Sequence, residues 1–181
     1  LAGISVYIYT LLTNNISYYE FITNKKELLY LIVALFGLLI RAYSVGFSAD
    51  NTSGRNTKVG QVADSINKTG IYSIVRHPLY IGNFFMWLSI ALFTNNFWFI
   101  IAFVFLYWLY YERIMYAEEE FLRDKYGETY INWATETPAI IPNFKKWTKP
   151  EGKFNLWKVL KQEKSGVLNL MLTIFLFKII A

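Results

Sequence analysis

Apolar residues along this chain fall in long runs separated by short polar stretches. Residues 28–47 make one such run with Arg41 inside it near one end, and a helical crossing of a bilayer needs about 20 residues. Residues 1–13 are apolar but short for a span, and the chain begins at Leu1 rather than Met. This run is read as the end of a transmembrane helix whose start lies upstream, and no cleavable signal peptide is seen. A polar connection follows at residues 14–26, and residues 48–69 form a polar loop rich in Asn, Ser, Thr and Gly. Pro78 then suits the first turn of a helix, where its missing N–H costs nothing. Two further runs, 79–93 and 97–116, are parted only by Thr94, Asn95 and Asn96. So short a break predicts the tip of a helical hairpin. Both its ends then return to one membrane face, which brings segment 69–82 beside the acidic stretch that follows Tyr116. Residues 143–164 read as amphipathic, Lys-rich and interfacial, and residues 168–181 as a last apolar run. The expected fold is all-α: a polytopic transmembrane helical protein with a hairpin and a pocket at its cytoplasmic face. It forms one membrane domain, with transmembrane helices in 1–47, a core in 69–144, and an interfacial segment plus apolar helix in 145–181.

Composition agrees. Apolar residues make up 55% of the chain and charged ones 17%, where a soluble domain carries about 25% charged residues. Fourteen Tyr, fifteen Phe and six Trp suit an interfacial aromatic belt. There are no cysteines, which excludes disulfides, thiolate catalysis and cysteine metal sites. With a single histidine, a zinc shell would consist mostly of carboxylates, so no metal is expected. The net charge of +5 sits in segments flanking apolar runs, as in membrane-proximal loops, and argues for a bilayer rather than nucleic acid. Most Lys and Arg lie on the face that carries the polar motifs, which favours the cytoplasm. No dinucleotide fingerprint, phosphate loop or serine elbow is present.

Three polar groupings are candidates for chemistry. His77 stands between Arg76 and Pro78 at a helix entrance. A lone histidine is more often structural, yet a helix N-terminus offers unpaired N–H groups to a carboxylate or phosphate. Arg76 anchors such an anion or snorkels to headgroups. The run Glu118-Glu119-Glu120 reads either as a solvated face or as a site for a cation. Neighbouring helical residues point about 100° apart, so one carboxylate can face the bundle while the next faces water. A carboxylate near tyrosines suits a sulfonium or ammonium. Glu112 and Arg113, one to two turns earlier, are placed to pair across the bundle. Arg55 and Lys58 in the polar loop read as a phosphate-headgroup site or, more simply, as positive-charge bias at one membrane face.

Thr69-Gly70-Ile71-Tyr72, followed by Arg76-His77-Pro78-Leu79-Tyr80-Ile81-Gly82, and Glu118-Glu119 with Leu122, Tyr126-Gly127 and Tyr130, occur in order and are closed by Pro138 and Pro142. Together, over residues 69–144, they resemble the membrane methyltransferases typified by isoprenylcysteine carboxyl methyltransferase and phosphatidylethanolamine methyltransferase. Tyr126-Gly127 and Trp133 stand where the family often has Phe-Gly and a second Tyr. The resemblance implies S-adenosylmethionine as cofactor, bound by His77, Tyr80, Gly82, Glu118 and Glu119, with a membrane lipid as acceptor. Residues 51–58 with Tyr110-Tyr111-Glu112-Arg113 are similar to bacterial enzymes that methylate a lipid A phosphate, and imply an inner-membrane protein of bacterial source.

The expected reaction is direct methyl transfer to an anionic lipid oxygen, which is already ionised at neutral pH and needs no strong base. Alignment and exclusion of water would drive it. Arg76 and Arg113 are the expected catalytic anchors, with Arg55 and Lys58 holding the substrate. Alternatives are a carboxyl or phospholipid amine methyltransferase, an NADPH-dependent sterol-type reductase, and a non-catalytic membrane protein.

Overall fold

A computed structural model describes residues 25–49, 52, 55–57 and 60–180, together with Ser5. The first expected apolar run and the connection after it otherwise lie outside the described residues. Among the described residues, five α-helices carry the fold: α1 (Lys25–Phe47), α2 (Pro78–Phe93), α3 (Phe97–Tyr126), α4 (Glu128–Glu136) and α5 (Leu156–Ile180). A small antiparallel hairpin, β1 (Arg55–Thr57) with β2 (Gly60–Val62), interrupts the polar loop. The fold class is all-α, as expected. By length and composition, α1 and α3 are able to cross a membrane, while the 16-residue α2 is apolar but shorter. Outward positions such as Leu35 and Leu39 on α1, Phe105 and Leu109 on α3, and Leu172 and Phe175 on α5 are exposed. Apolar surface on this scale fits a lipid-facing wall.

The hairpin forms where the polar break predicted it. Asn96 caps α3 by accepting from the Phe99 amide at 2.9 Å, supplying one of the four N–H groups a helix start leaves open. Asn95 takes the positive φ that the turn requires and accepts from the Tyr30 hydroxyl at 2.8 Å. Tyr30, Phe93 and Phe177 pack together there, joining α1, the hairpin tip and the end of α5. About two turns along α1 from Tyr30, α1 and α2 approach closely. A Cβ on Gly37 would lie 2.5 Å from the Gly82 carbonyl oxygen, and one on Gly82 2.5 Å from Arg41 Cγ. Small residues at a helix contact are what membrane bundles use, since lipid gives no hydrophobic drive between helices. Phe84 of α2 meets Phe103, Tyr107 and Trp108 of α3.

Where the sequence suggested an interfacial segment followed by a separate apolar helix, one continuous helix stands from Leu156. Residues 156–164 contain neither Gly nor Pro to break it. α5 starts beside the end of α1, where the Asn155 amide donates to the Gly46 carbonyl at 2.9 Å and Lys158 Nζ donates to the Ser48 carbonyl at 2.7 Å. It then runs antiparallel to α1 toward the hairpin tip.

At the end opposite the tip, backbone bonds join two distant segments. The amides of Arg76 and His77 donate to the carbonyls of Pro138 and Ala139, and the Asn143 amide donates to the Ile74 carbonyl. Gly70 bridges Thr148, whose amide donates to the Ser73 hydroxyl. The segment entering α2 is thereby fixed against the segment leaving α4.

Candidate functional site

Those fixed segments close one end of a cavity of about 360 Å³. α1 contributes Arg41 and Val45, the entry to α2 contributes Tyr72, Arg76, His77 and Tyr80, and α3 contributes Ile114, Glu118 and Leu122. Tyr130 and Trp133 of α4, Gln162 of α5, and Thr52, Ile66 and Asn67 of the loop before α2 also line the cavity. On α3, positions 114, 118 and 122 recur every fourth residue, so one face of the helix lines the cavity.

The expected partnership of the two motifs is present. His77 Nε2 lies 2.7 Å from Glu119 Oε1, and the Tyr80 hydroxyl donates to Glu118 Oε2 at 2.7 Å. Because the carboxylate carries no proton, Nε2–H is the donor, which leaves Nδ1 on the side of Glu118, 3.8 Å away. The His77 and Tyr80 rings stack at 5.5 Å.

The two carboxylates divide their tasks. Glu119 is not on the cavity wall; its Oε1 receives Arg76 Nε and Nη2, each at 2.9 Å, besides His77. Arg76 Nη1 donates to the carbonyls of Ala134 and Thr137, each at 2.6 Å. Arg76 lines the cavity, but its guanidinium is almost fully engaged in tying the turn before α2 to α3 and to the end of α4. Glu118 faces the cavity and accepts from Tyr80. Glu120 pairs outward with Arg123.

Other residues singled out from the sequence stand elsewhere. Gly82 faces α1 and makes room for Arg41 rather than lining the cavity. Glu112 and Arg113 are exposed on α3 and do not line the cavity, because residue 113 points about 100° away from the 114–118–122 face. Arg55 lies in β1 with its side chain outside the described residues, as is Lys58 altogether.

Sequence reasoning missed three parts of the site. Arg41 donates to both oxygens of Glu163 on α5 at 2.6 and 2.7 Å, and to Asn83 on α2 at 2.7 Å. The signal was available, since a charge inside a membrane span is a functional candidate by default. Tyr130 Oη and Trp133 Nε1 are buried on the cavity wall; among the described residues neither makes a hydrogen bond of normal length, and the Tyr130 hydroxyl lies toward Glu119. Burial, then the nearby Glu119 charge, raises the Tyr130 pKa above its ordinary value. Burial and the charge of Glu118 do the same for Tyr72. Both hydroxyls therefore keep their protons at neutral pH.

Fold and site together define a helical membrane protein with a polar, aromatic-walled cavity at one end of its bundle. The chain belongs to the phospholipid methyltransferase family, whose model matches residues 27–129. It is similar to the protein-S-isoprenylcysteine O-methyltransferase of Schizosaccharomyces pombe, with 34% identity over 74 residues, 40% of this chain and 31% of that protein. It is also similar to the enzyme of that name from Saccharomyces cerevisiae, with 31% identity over 75 residues, 41% of this chain and 31% of that protein. The match thus spans about a third of the length of these relatives.

Proposed function

We propose that this chain is an S-adenosylmethionine-dependent methyltransferase that methylates an anionic oxygen of a lipid acceptor. The observation that carries the reading is the charge balance of the cavity. Arg41 and Arg76 each face a carboxylate, Glu163 and Glu119, just behind the wall. Among the described residues, Glu118 then has no Lys or Arg partner; it stands among Tyr72, Tyr80 and Tyr130, with His77 Nδ1 3.8 Å away. A carboxylate framed by aromatic rings suits a compact cation such as a sulfonium. It opposes the polyphosphate of a nicotinamide cofactor, for which open cations would be needed.

The donor set fits S-adenosylmethionine on a second count. Among the described residues, Tyr130 Oη and Trp133 Nε1–H are buried without a hydrogen bond of normal length, and a bound molecule with ring nitrogens and hydroxyls satisfies them. Glu118, Tyr80 and His77 would hold its charged centre, with Tyr130 and Trp133 on its polar edge. When bound, it supplies an electrophilic methyl group on a positively charged sulfur. The chain's own residues exclude water, orient the acceptor and need no base, because a carboxylate or phosphate is already ionised.

The names of the relatives favour a carboxylate on a prenylated cysteine as acceptor. A lipid phosphate, such as that of lipid A, is the second arm, resting on the polar loop at 51–58. The gathering of Lys and Arg at the cavity end supports a cytoplasmic-facing site.

Calorimetry on purified protein should show binding of S-adenosylmethionine and none of NADPH. The reverse result would sink the proposal. Transfer of labelled methyl into a farnesylated cysteine, and into total lipid extract read by mass spectrometry, separates the two acceptors.

A further inference from the structure

The Arg41–Asn83–Glu163 group lies in the bundle interior, on the membrane-crossing part of the site. Glu163 is 3% exposed, and lone charges there are costly unless they serve a purpose. Resting on the methyl-transfer reading, we infer that Arg41 anchors the anionic group of the acceptor at the bilayer-side end of the cavity.

Four observations lead there. The first is position. Asn83 is about one turn beyond Tyr80 on α2, and Tyr111 is about two turns before Glu118 on α3. Both helices make these the deeper residues, toward the hairpin tip, and Asn83 Nδ2 reaches the Tyr111 hydroxyl at 3.5 Å. Arg41 is therefore at the apolar end of a cavity whose other end holds Glu118 and His77. A lipid acceptor entering from the bilayer meets Arg41 first.

The second is donor count. A guanidinium has five N–H groups. Arg41 uses three, on Glu163 and Asn83. One N–H on Nη1 and one on Nη2 remain, and the residue lines the cavity with its side chain 19% exposed. Arg76 makes three hydrogen bonds as well, but its Nη2 is held 2.9 Å from the same Glu119 oxygen, so its guanidinium is turned onto Glu119 and away from a ligand. Arg41 thus keeps one N–H on each terminal nitrogen for a carboxylate or phosphate, the group a guanidinium binds best.

The third is charge. The bidentate bond to Glu163 makes the pair neutral overall. Its open N–H groups give direction without a full positive charge, which would weaken an oxygen nucleophile. A fixed, neutralised fork positions the acceptor and leaves its reactivity intact. The fourth is space. Gly82 has no side chain where one would sit 2.5 Å from Arg41 Cγ, so the α1–α2 contact is shaped to admit this arginine.

The test uses Arg41→Gln with Glu163→Gln, which removes both charges and keeps side-chain size, and separately Arg41→Lys, which keeps the charge but loses the fork. Farnesylated cysteine and phosphatidic acid are the acceptor probes in detergent or nanodiscs. The double variant should melt near the wild type and bind S-adenosylmethionine within about threefold, while the acceptor KM rises about ten- to a hundredfold. Arg41→Lys should give a smaller rise in KM, and provides the same readout if the double variant does not fold. A loss of S-adenosylmethionine affinity with acceptor KM unchanged would assign Arg41 to the donor's carboxylate and overturn the inference. No change in either would reduce the pair to a helix joint and overturn it as well. A wild type that neither binds S-adenosylmethionine nor transfers methyl would overturn the methyl-transfer reading first.

Discussion

Adjacent carboxylates at 118 and 119 should separate into a binding role and a structural one. Glu119 Oε1 takes three N···O contacts, two from Arg76 and one from His77, and stands behind the cavity wall. Glu119→Ala removes one partner of a largely buried ion pair, which costs about 3–5 kcal/mol when the other charge is stranded. Arg76 would keep the carbonyls of Ala134 and Thr137, and both side chains retain some exposure, at 15% and 18%. About 2–3 kcal/mol is then the expected loss, a fall in melting temperature of about 4–12 °C for a chain of this size. Glu118→Gln keeps an acceptor for the Tyr80 hydroxyl and should melt within about 0.5 kcal/mol of the wild type. It removes the carboxylate's charge, so affinity for S-adenosylmethionine should fall about ten- to a hundredfold. The assays are thermal unfolding in nanodiscs and calorimetry on the same preparations. If Glu118→Gln unfolds early and keeps its affinity while Glu119→Ala does neither, the division of roles is wrong.

Gly37→Ala drives a methyl group into the Gly82 carbonyl and the Met86 amide and should lower stability by about 1–3 kcal/mol. Gly166→Ala meets only Met86 Cε at 3.9 Å and should gain about 0.5–1 kcal/mol through helix propensity; melting both side by side checks the pair. Trp133→Phe keeps an aromatic ring but removes the Nε1–H, so the fold should hold while affinity for S-adenosylmethionine drops about three- to tenfold by calorimetry. Tyr30→Phe breaks the 2.8 Å bond to Asn95 at the hairpin tip, and should cost about 1 kcal/mol in the melt and leave methyl transfer unchanged. Because the chain has no cysteine, Lys149→Cys and Phe97→Cys report sidedness directly. An impermeant maleimide should label only the second in intact cells if the cavity faces the cytoplasm.

The hairpin was legible because three uncharged polar residues between two apolar runs leave few alternatives. Its geometry also made the meeting of His77 with Glu118 and Glu119 legible, since both arms return to the same end of the bundle. The phase of α3 was not. Arg113 and Glu118 differ by five positions, enough to place them on different faces, and only packing shows which face is inward. Gly82 lay in the motif, but its reason for being small is a backbone and an arginine from α1, more than 40 positions earlier. Lys-rich residues near 161–164 read as surface, yet Glu163 among them turns inward because Arg41, 122 positions away, is there to receive it. Pairings of that separation leave no local pattern.

The two arginine–carboxylate pairs also join the helices that surround the cavity. Arg76–Glu119 ties the entry of α2 to α3, and Arg41–Glu163 ties α1 to α5. Each is neutral within itself, so the bundle gains two polar joints without adding net charge, and Glu118 keeps its excess. The pairs differ in one respect. Arg76, Glu119, His77 and Glu118 all lie within the stretch matched by the family model, residues 27–129, whereas Glu163 and Gln162 lie beyond it. On the proposed reading, the groups that hold the donor's charged centre lie in the shared stretch, Tyr130 and Trp133 follow just past its end, and the acceptor end takes one wall from α5. A fold arranged in this way can hold one methyl donor while its last helix changes which lipid the bilayer presents to it.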